Sequence, residues 1–373
     1  MRIIADKNIP YLKGIAECFG EVTYLEGSEF TRENIKNADT LVVRTVTRFD
    51  ETLLKDTNVK LICSATIGYD HIDTAYCDAN GIVWRNAPGC NSGSVMQYII
   101  SSLIIVSQNK GFDLRGKTIG IVGVGNVGKK VAAACEVLGM KVLLNDPPRE
   151  NAGDGTEFVS LRTIMDEADI ITFHTPLTKE GIYKTYHLAD DSFFASLKQK
   201  PVIVNAARGG IIDTSAIKKA IRDNNISGAI IDCWESEPQI DLEYLNMVDI
   251  ATPHIAGYSA DGKANATRMS LTSIADFYNL DKTPISLVKE PLPEVSIINL
   301  DKFDKSRDKV YSAILETYNP VGDFMRLKNA PRDFKQLRNS YPLRREYFAY
   351  SIANASIQEQ AILLDLGFLK YLE

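Results

Sequence analysis

Long hydrophobic runs are missing from this 373-residue chain. The most apolar stretch, Tyr98 to Val106, is broken by Ser101 and Ser102 and is too short to span a bilayer. Paired cysteines are missing too. Cys18, Cys63, Cys77, Cys90, Cys135 and Cys233 form no Cys-x-x-Cys step, and none stands at zinc-like spacing from a histidine. Neither a disulfide framework nor a metal is expected; small buried thiols in a reducing compartment are the simpler reading. Nor is there an excess of positive charge. A net charge of −6 argues against broad binding to nucleic acid or an anionic membrane. No internal repeat and no low-complexity tract is present. Met1-Arg2-Ile3-Ile4-Ala5-Asp6 meets charge before any apolar stretch forms, so it reads as a strand and not as a signal peptide. A cytoplasmic location is expected.

What is present fits a soluble protein of two or three domains: 45% apolar and 24% charged residues over this length. Short apolar strands alternate with helical patterns, which predicts an α/β architecture with parallel sheets. The first block has candidate strands at Arg2–Asp6, Glu21–Leu25, Thr40–Arg44, Lys60–Ala65 and Ile82–Arg85, with helices expected at Tyr11–Phe19, Arg32–Asn37, Glu51–Asp56 and Thr74–Ala79. The second has strands at Thr118–Val122, Lys141–Asn145, Asp169–His174, Val202–Ala206, Gly228–Asp232 and Asp249–Thr252. A helical pattern at Ser92–Ser107 is expected to bridge the blocks, and another at Lys263–Leu280 to return the chain to the first, framing a cleft. Pro284, Pro291 and Pro293 punctuate the start of a last segment, with helices expected at Ser306–Tyr318 and Ser356–Leu366. The expected division is 1–95 with 261–283, then 96–260, then 284–373.

Gly123-Val124-Gly125-Asn126-Val127-Gly128 follows one strand and opens a helix that leads to the next strand. That context turns a weak pattern into a dinucleotide-binding turn. Gly123 permits the turn, Gly125 lets the backbone approach a pyrophosphate, and Gly128 lets the helix pack against the sheet. The helix N-terminus offers free N–H groups to the phosphates, with Asn126 and Val127 in its first turn. Asp146 ends the second strand, where an acid binds the ribose hydroxyls and repels a 2′-phosphate. NAD is therefore expected over NADP, although Arg149 stands close by in sequence.

Three ionisable residues fall at or just beyond strand ends: Arg208, Glu237 and His254. Oxidising a hydroxy acid needs a cation for the carboxylate, a base for the hydroxyl proton and a carboxylate to orient that base. Taken singly, each could be a surface charge, a turn residue or a structural histidine. In this order behind a dinucleotide turn, they read as a catalytic set.

The segments Asn205-Ala206-Ala207-Arg208-Gly209-Gly210, Asp232-Cys233-Trp234-Glu235-Ser236-Glu237-Pro238 and Pro253-His254-Ile255-Ala256-Gly257 resemble the D-isomer-specific 2-hydroxyacid dehydrogenases, as does His174-Thr175-Pro176-Leu177-Thr178. The resemblance covers about the first 280 residues. It implies an α/β fold of two doubly wound parallel-sheet domains, a flavodoxin-like substrate domain and a Rossmann NAD domain, with a small C-terminal α+β domain added. Arg208 would polarise the substrate, His254 would be the acid/base, and Glu237 would support it. Ala206, Ala207, Asp232 and Gly257 would join the cofactor contacts, with Thr175 at the adenosine end. Thr45, Thr66 and Tyr258 would line the substrate pocket. The loops Val43–Arg48 and Ala65–Asp70, together with the tail, resemble a branch of the family that acts on a phosphorylated hydroxy acid and dimerises through a C-terminal domain, so a homodimer is expected. Arg44 and Arg48 are the first candidates for the substrate phosphate. Arg344 and Arg345, supplied by a partner subunit, are a second choice, with a solvated charged face as the plainer reading of that pair. A D-3-phosphoglycerate dehydrogenase and an NAD-sensing binding protein on the same fold remain open alternatives.

Overall fold

The structure is a computed structural model that describes residues 1–304 and 306–372. The chain forms two compact units, Met1–Asn91 with Ser259–Leu292 and Ser92–Tyr258 with Pro293–Glu373.

In the first unit, β1 (Arg2–Asp6), β2 (Glu21–Leu25), β3 (Thr40–Val43), β4 (Leu61–Ser64) and β5 (Val83–Arg85) form a parallel sheet in the order β2-β1-β3-β4-β5. This is the flavodoxin-like order. β3 and β4 are buried at every position, which is why they read as continuous apolar runs. The helix Ala260–Tyr278 brings Ala264, Leu271 and Ile274 into the same core as Ile3, Val42 and Leu61. The helix expected over Tyr11–Phe19 does not form. Tyr11 (φ 61°) and Gly14 (φ 88°) turn left-handed there, and only a 3₁₀ turn at Ala16–Cys18 remains.

In the second unit, β6 (Thr118–Val122), β7 (Lys141–Asn145), β8 (Ile170–Phe173), β9 (Val202–Asn205), β10 (Gly228–Ile231) and β11 (Ile250–Ala251) form a parallel sheet in the order β11-β10-β9-β8-β6-β7. The strand order reverses between β6 and β8, the point at which open α/β sheets bind ligands beyond their carboxyl ends.

The pattern at Ser92–Ser107, which forms the helix Ser92–Lys110, was expected to bridge the domains, and the tail to stand as a separate α+β domain. Instead both belong to the second unit. Tyr98, Ile99, Leu103 and Ile104 are fully buried in one core with Ile119 and Ile121 of the sheet and with Ile298, Ile314, Tyr347 and Leu363 of the tail. Each such side chain contributes about 1.5–3 kcal/mol on burial, so the tail folds onto the helix in place of forming a core of its own. Its strands β12 (Ile297–Asn299), β13 (Ser351–Ala353) and β14 (Leu369–Lys370) are parallel, with helices between them. The added layer is therefore α/β, not α+β. Among the described residues, no helix is long and apolar enough to cross a membrane.

Candidate active site

The glycine turn is built as its sequence requires. A Cβ on Gly128 would overlap the carbonyl oxygen of Gly123, and one on Gly123 (φ 91°) would press on the backbone of His174 and Thr175 at 2.8 Å. Gly125 differs: a Cβ there would meet nothing within 4 Å, so the backbone faces open space where a pyrophosphate would lie. The helix Asn126–Val137 starts directly behind it. Thr175 places a buried hydroxyl without a hydrogen-bond partner near this turn. These features fit NAD.

Asp146 holds the turn and caps the next helix. Its carboxylate accepts from the Val124 N–H at 2.8 Å and the Arg149 N–H at 3.2 Å. The Arg149 guanidinium is committed to Asp154, Thr156 and the Val124 carbonyl, and it lies over the Phe158 ring. It is not a free cation for a 2′-phosphate.

The second cluster sits beyond β9, β10 and β11. Arg208 follows β9 and donates to its neighbour's carbonyl, Ala207 O, at 2.8 Å. Asn205 shapes that turn by donating to Arg208 O and accepting from the Ala207 N–H. Gly209 is required because a Cβ would run into the Trp234 carbonyl. His254 Nδ1 donates to Glu237 Oε2 at 2.8 Å, and the Trp234 N–H holds Glu237 Oε1 at 2.7 Å. Burial alone would raise the Glu237 carboxyl. The His254 hydrogen bond and charge, the Trp234 amide and the Arg338 charge outweigh it, and the carboxyl ends below its ordinary range. The fixed Nδ1–H leaves Nε2 of His254 for chemistry. Both Ser236 (φ 61°) and His254 (φ 57°) adopt left-handed backbone, which concentrates strain at this site.

The His254 loop is held from a distance. The buried Asp232 carboxylate accepts from Thr252 Oγ1 at 2.6 Å, Ile255 N–H at 2.7 Å and Ala256 N–H at 3.0 Å. Burial pushes this carboxyl up, and the charge of His254 and the three donors pull it back. Thus Asp232, expected among the cofactor contacts, has its carboxylate committed to shaping the loop. Arg344 closes the other side: its guanidinium reaches Ser94 Oγ and the carbonyls of Ile255 and Ala256, and it stacks over Tyr318 at 4.4 Å. Arg344 and Arg345 are buried, 4% and 6% exposed, so the solvated-face reading of this pair is wrong. Sequence reasoning missed the internal role of Arg344; a run of arginines carries no sign of what covers it.

The substrate candidates of the first unit are disposed differently. Thr45 is exposed. The Thr66 hydroxyl is shared with Ser64 at 2.7 Å and donates to Gly68 O at 3.0 Å. Arg44 lies 3.1 Å from the buried Asp6, and the exposed Arg48 pairs with Asp50 at 3.1 Å. Neither arginine is without an anion.

Cys233, Glu237 and His254 place their donor atoms within 4.8 Å of one another, a spacing a metal could also use. The chemistry points elsewhere: burial pushes the Cys233 thiol well up, and both Glu237 oxygens already accept hydrogen bonds. The cluster is suited to moving a proton.

Residues 104–256 match the family described as D-isomer specific 2-hydroxyacid dehydrogenase, NAD binding domain. The chain is 52% identical over 353 residues to an erythronate-4-phosphate dehydrogenase of Bacteroides fragilis, covering 94% of this chain and 99% of that one. A second such enzyme, from Porphyromonas gingivalis, is 41% identical over 99% of this chain and 100% of its own length. Among solved structures, the NAD⁺-bound 3-phosphoglycerate dehydrogenase of Entamoeba histolytica superposes with a TM-score of 0.62 at 28% identity. It covers 75% of this chain and 95% of its own.

Proposed function

The chain belongs to the erythronate-4-phosphate dehydrogenases of the D-isomer-specific 2-hydroxyacid dehydrogenase family, and we propose that it oxidises 4-phospho-D-erythronate to (3R)-3-hydroxy-2-oxo-4-phosphobutanoate, a step of pyridoxal 5′-phosphate (vitamin B6) biosynthesis. The observation that carries the chemistry is the 2.8 Å bond from His254 Nδ1 to Glu237, which fixes the tautomer of the histidine. His254 Nε2 accepts the proton of the C2 hydroxyl. Glu237 stabilises the resulting imidazolium. Arg208 holds the carboxylate and polarises the C2 oxygen with its planar guanidinium. Bound NAD⁺ supplies the hydride acceptor. Gly123, Gly125, Asn126, Val127 and Gly128 cradle its pyrophosphate, Asp146 takes the ribose hydroxyls, and Thr175, Ala206, Ala207 and Gly257 complete its contacts, with Asp232 holding the loop beside them. Thr45, Thr66 and Tyr258 bind the substrate.

A homodimer through the C-terminal segment belongs to the same reading. Ile357, Leu369 and Leu372 in this segment are exposed at 90%, 51% and 79%. Exposed apolar side chains such as these are what a partner subunit would cover.

The test is NADH formation with 4-phospho-D-erythronate and with D-3-phosphoglycerate, for the wild type and R208K. Turnover of the four-carbon acid is expected to dominate, and R208K to lose at least about tenfold in kcat/KM, because lysine does not reproduce a bidentate contact. Equal or better use of phosphoglycerate overturns the substrate. An R208K enzyme within threefold of wild type overturns the role of Arg208.

A further inference from the structure

We propose that Arg338, carried by the C-terminal segment, receives the phosphate of the substrate, a task that sequence reasoning gave to Arg44 and Arg48. The proposal rests on the phosphorylated hydroxy acid named above. Arg338 lies in the helix Phe334–Asn339, well past the dinucleotide sheet in sequence. Its guanidinium carbon stands 5.4 Å from the centroid of the Tyr258 ring, four residues beyond His254. Tyr341 packs edge-on against the same ring at 6.1 Å. The Arg338 charge helps to lower the Glu237 carboxyl, and Arg338 and Arg208 both oppose the rise of the Cys233 thiol. Two guanidinium groups therefore attend the Glu237–His254 pair, one from β9 and one from the tail.

What marks Arg338 is bonding capacity left over at its guanidinium. Its Nε is buried without a hydrogen-bond partner, and among the described residues no carboxylate lies within ion-pair distance of it. Arg44 and Arg48 already face carboxylates, Asp6 and Asp50, and Arg344 is turned onto Ser94 and two loop carbonyls. A buried guanidinium nitrogen left without an acceptor is destabilising until one meets it. Its planar fork matches a phosphate in bidentate fashion, and stacking on Tyr258 fixes the plane beforehand. A 2-hydroxy acid carrying a phosphate has two anionic ends. Arg208 takes the carboxylate, and Arg338 takes the other.

The experiment compares R338M and R338K with wild type on 4-phospho-D-erythronate and on D-erythronate, with NADH affinity and melting temperature measured alongside. In R338M the ratio of kcat/KM for the phosphorylated over the plain acid is expected to fall at least about 30-fold, mostly through KM, with R338K restoring part of it. A ratio that stays within threefold, whether both activities fall together or neither changes, overturns the proposal; the first pattern would mean that Arg338 acts only through Glu237. Should wild type not turn over 4-phospho-D-erythronate, the proposed function fails separately. Titration of the NADH-loaded enzyme with inorganic phosphate then decides Arg338. Binding at least tenfold weaker in R338M supports it, and equal affinity overturns it.

Discussion

The glycine turn and the His254 loop lie at the same edge of one sheet, yet they are held in different ways. The turn is secured from within a single strand–helix–strand unit: Gly128 against the Gly123 carbonyl, and Asp146 on the Val124 amide. The loop is secured by partners far away in sequence. Asp232 reaches in from the end of β10, and Arg344 from the tail holds two of its carbonyls. A cofactor common to many enzymes can be bound by a local motif. A histidine held in strained backbone needs an over-determined frame.

The largest effect should come from D232N, which sets an amide N–H₂ against backbone N–H donors of the loop. A loss in kcat/KM on the order of 100-fold is expected from the misplaced histidine, beside a lowered melting temperature. Activity within threefold of wild type would mean that the loop is as self-sufficient as the turn. G128A comes next: the added methyl must push on Gly123, costing about 1–3 kcal/mol of stability and weakening NADH binding. Thermal melts and NADH fluorescence titration would read both, and an unchanged Kd would break the local account of the turn. The smallest effect concerns His174, which follows β8 beside the turn. Its ring meets the buried Thr172 hydroxyl at 3.0 Å, and burial pulls its pKa down to about 3. The folded protein keeps this imidazole neutral while the unfolded chain protonates it near pH 6.5, so the stabilisation is full above that pH and is lost as pH falls toward 3. Roughly 2 kcal/mol at most should disappear between pH 7 and pH 5. H174N should flatten that slope in denaturant titrations; an unchanged slope would place the acid sensitivity elsewhere.

How much was legible follows the same division. β1, β2, β6 and β7 fall on their expected residues because apolar runs bounded by turns specify strands locally. The Tyr11–Phe19 helix failed because two left-handed residues override its apolar spacing. Arg208, Glu237 and His254 are singled out by their order and by a family resemblance, and the structure joins Glu237 to His254 directly. Arg338 and Arg344 were not legible as internal groups, because a charged residue carries no local sign of what will cover it. Prolines mark a boundary before the tail, and nothing in its own pattern shows that its apolar residues complete the core around Tyr98.

The sequence by itself determined the parallel α/β sheets and the glycine turn, since strand patterning and glycine geometry act over a few residues. Tertiary structure alone decided that the tail shares the dinucleotide unit's core, that Asp232 and Arg344 frame the His254 loop, and that Arg338 stands over Tyr258. Those outcomes depend on which distant surfaces bury one another, and burial decides whether a charge is solvated, paired or left to meet a substrate.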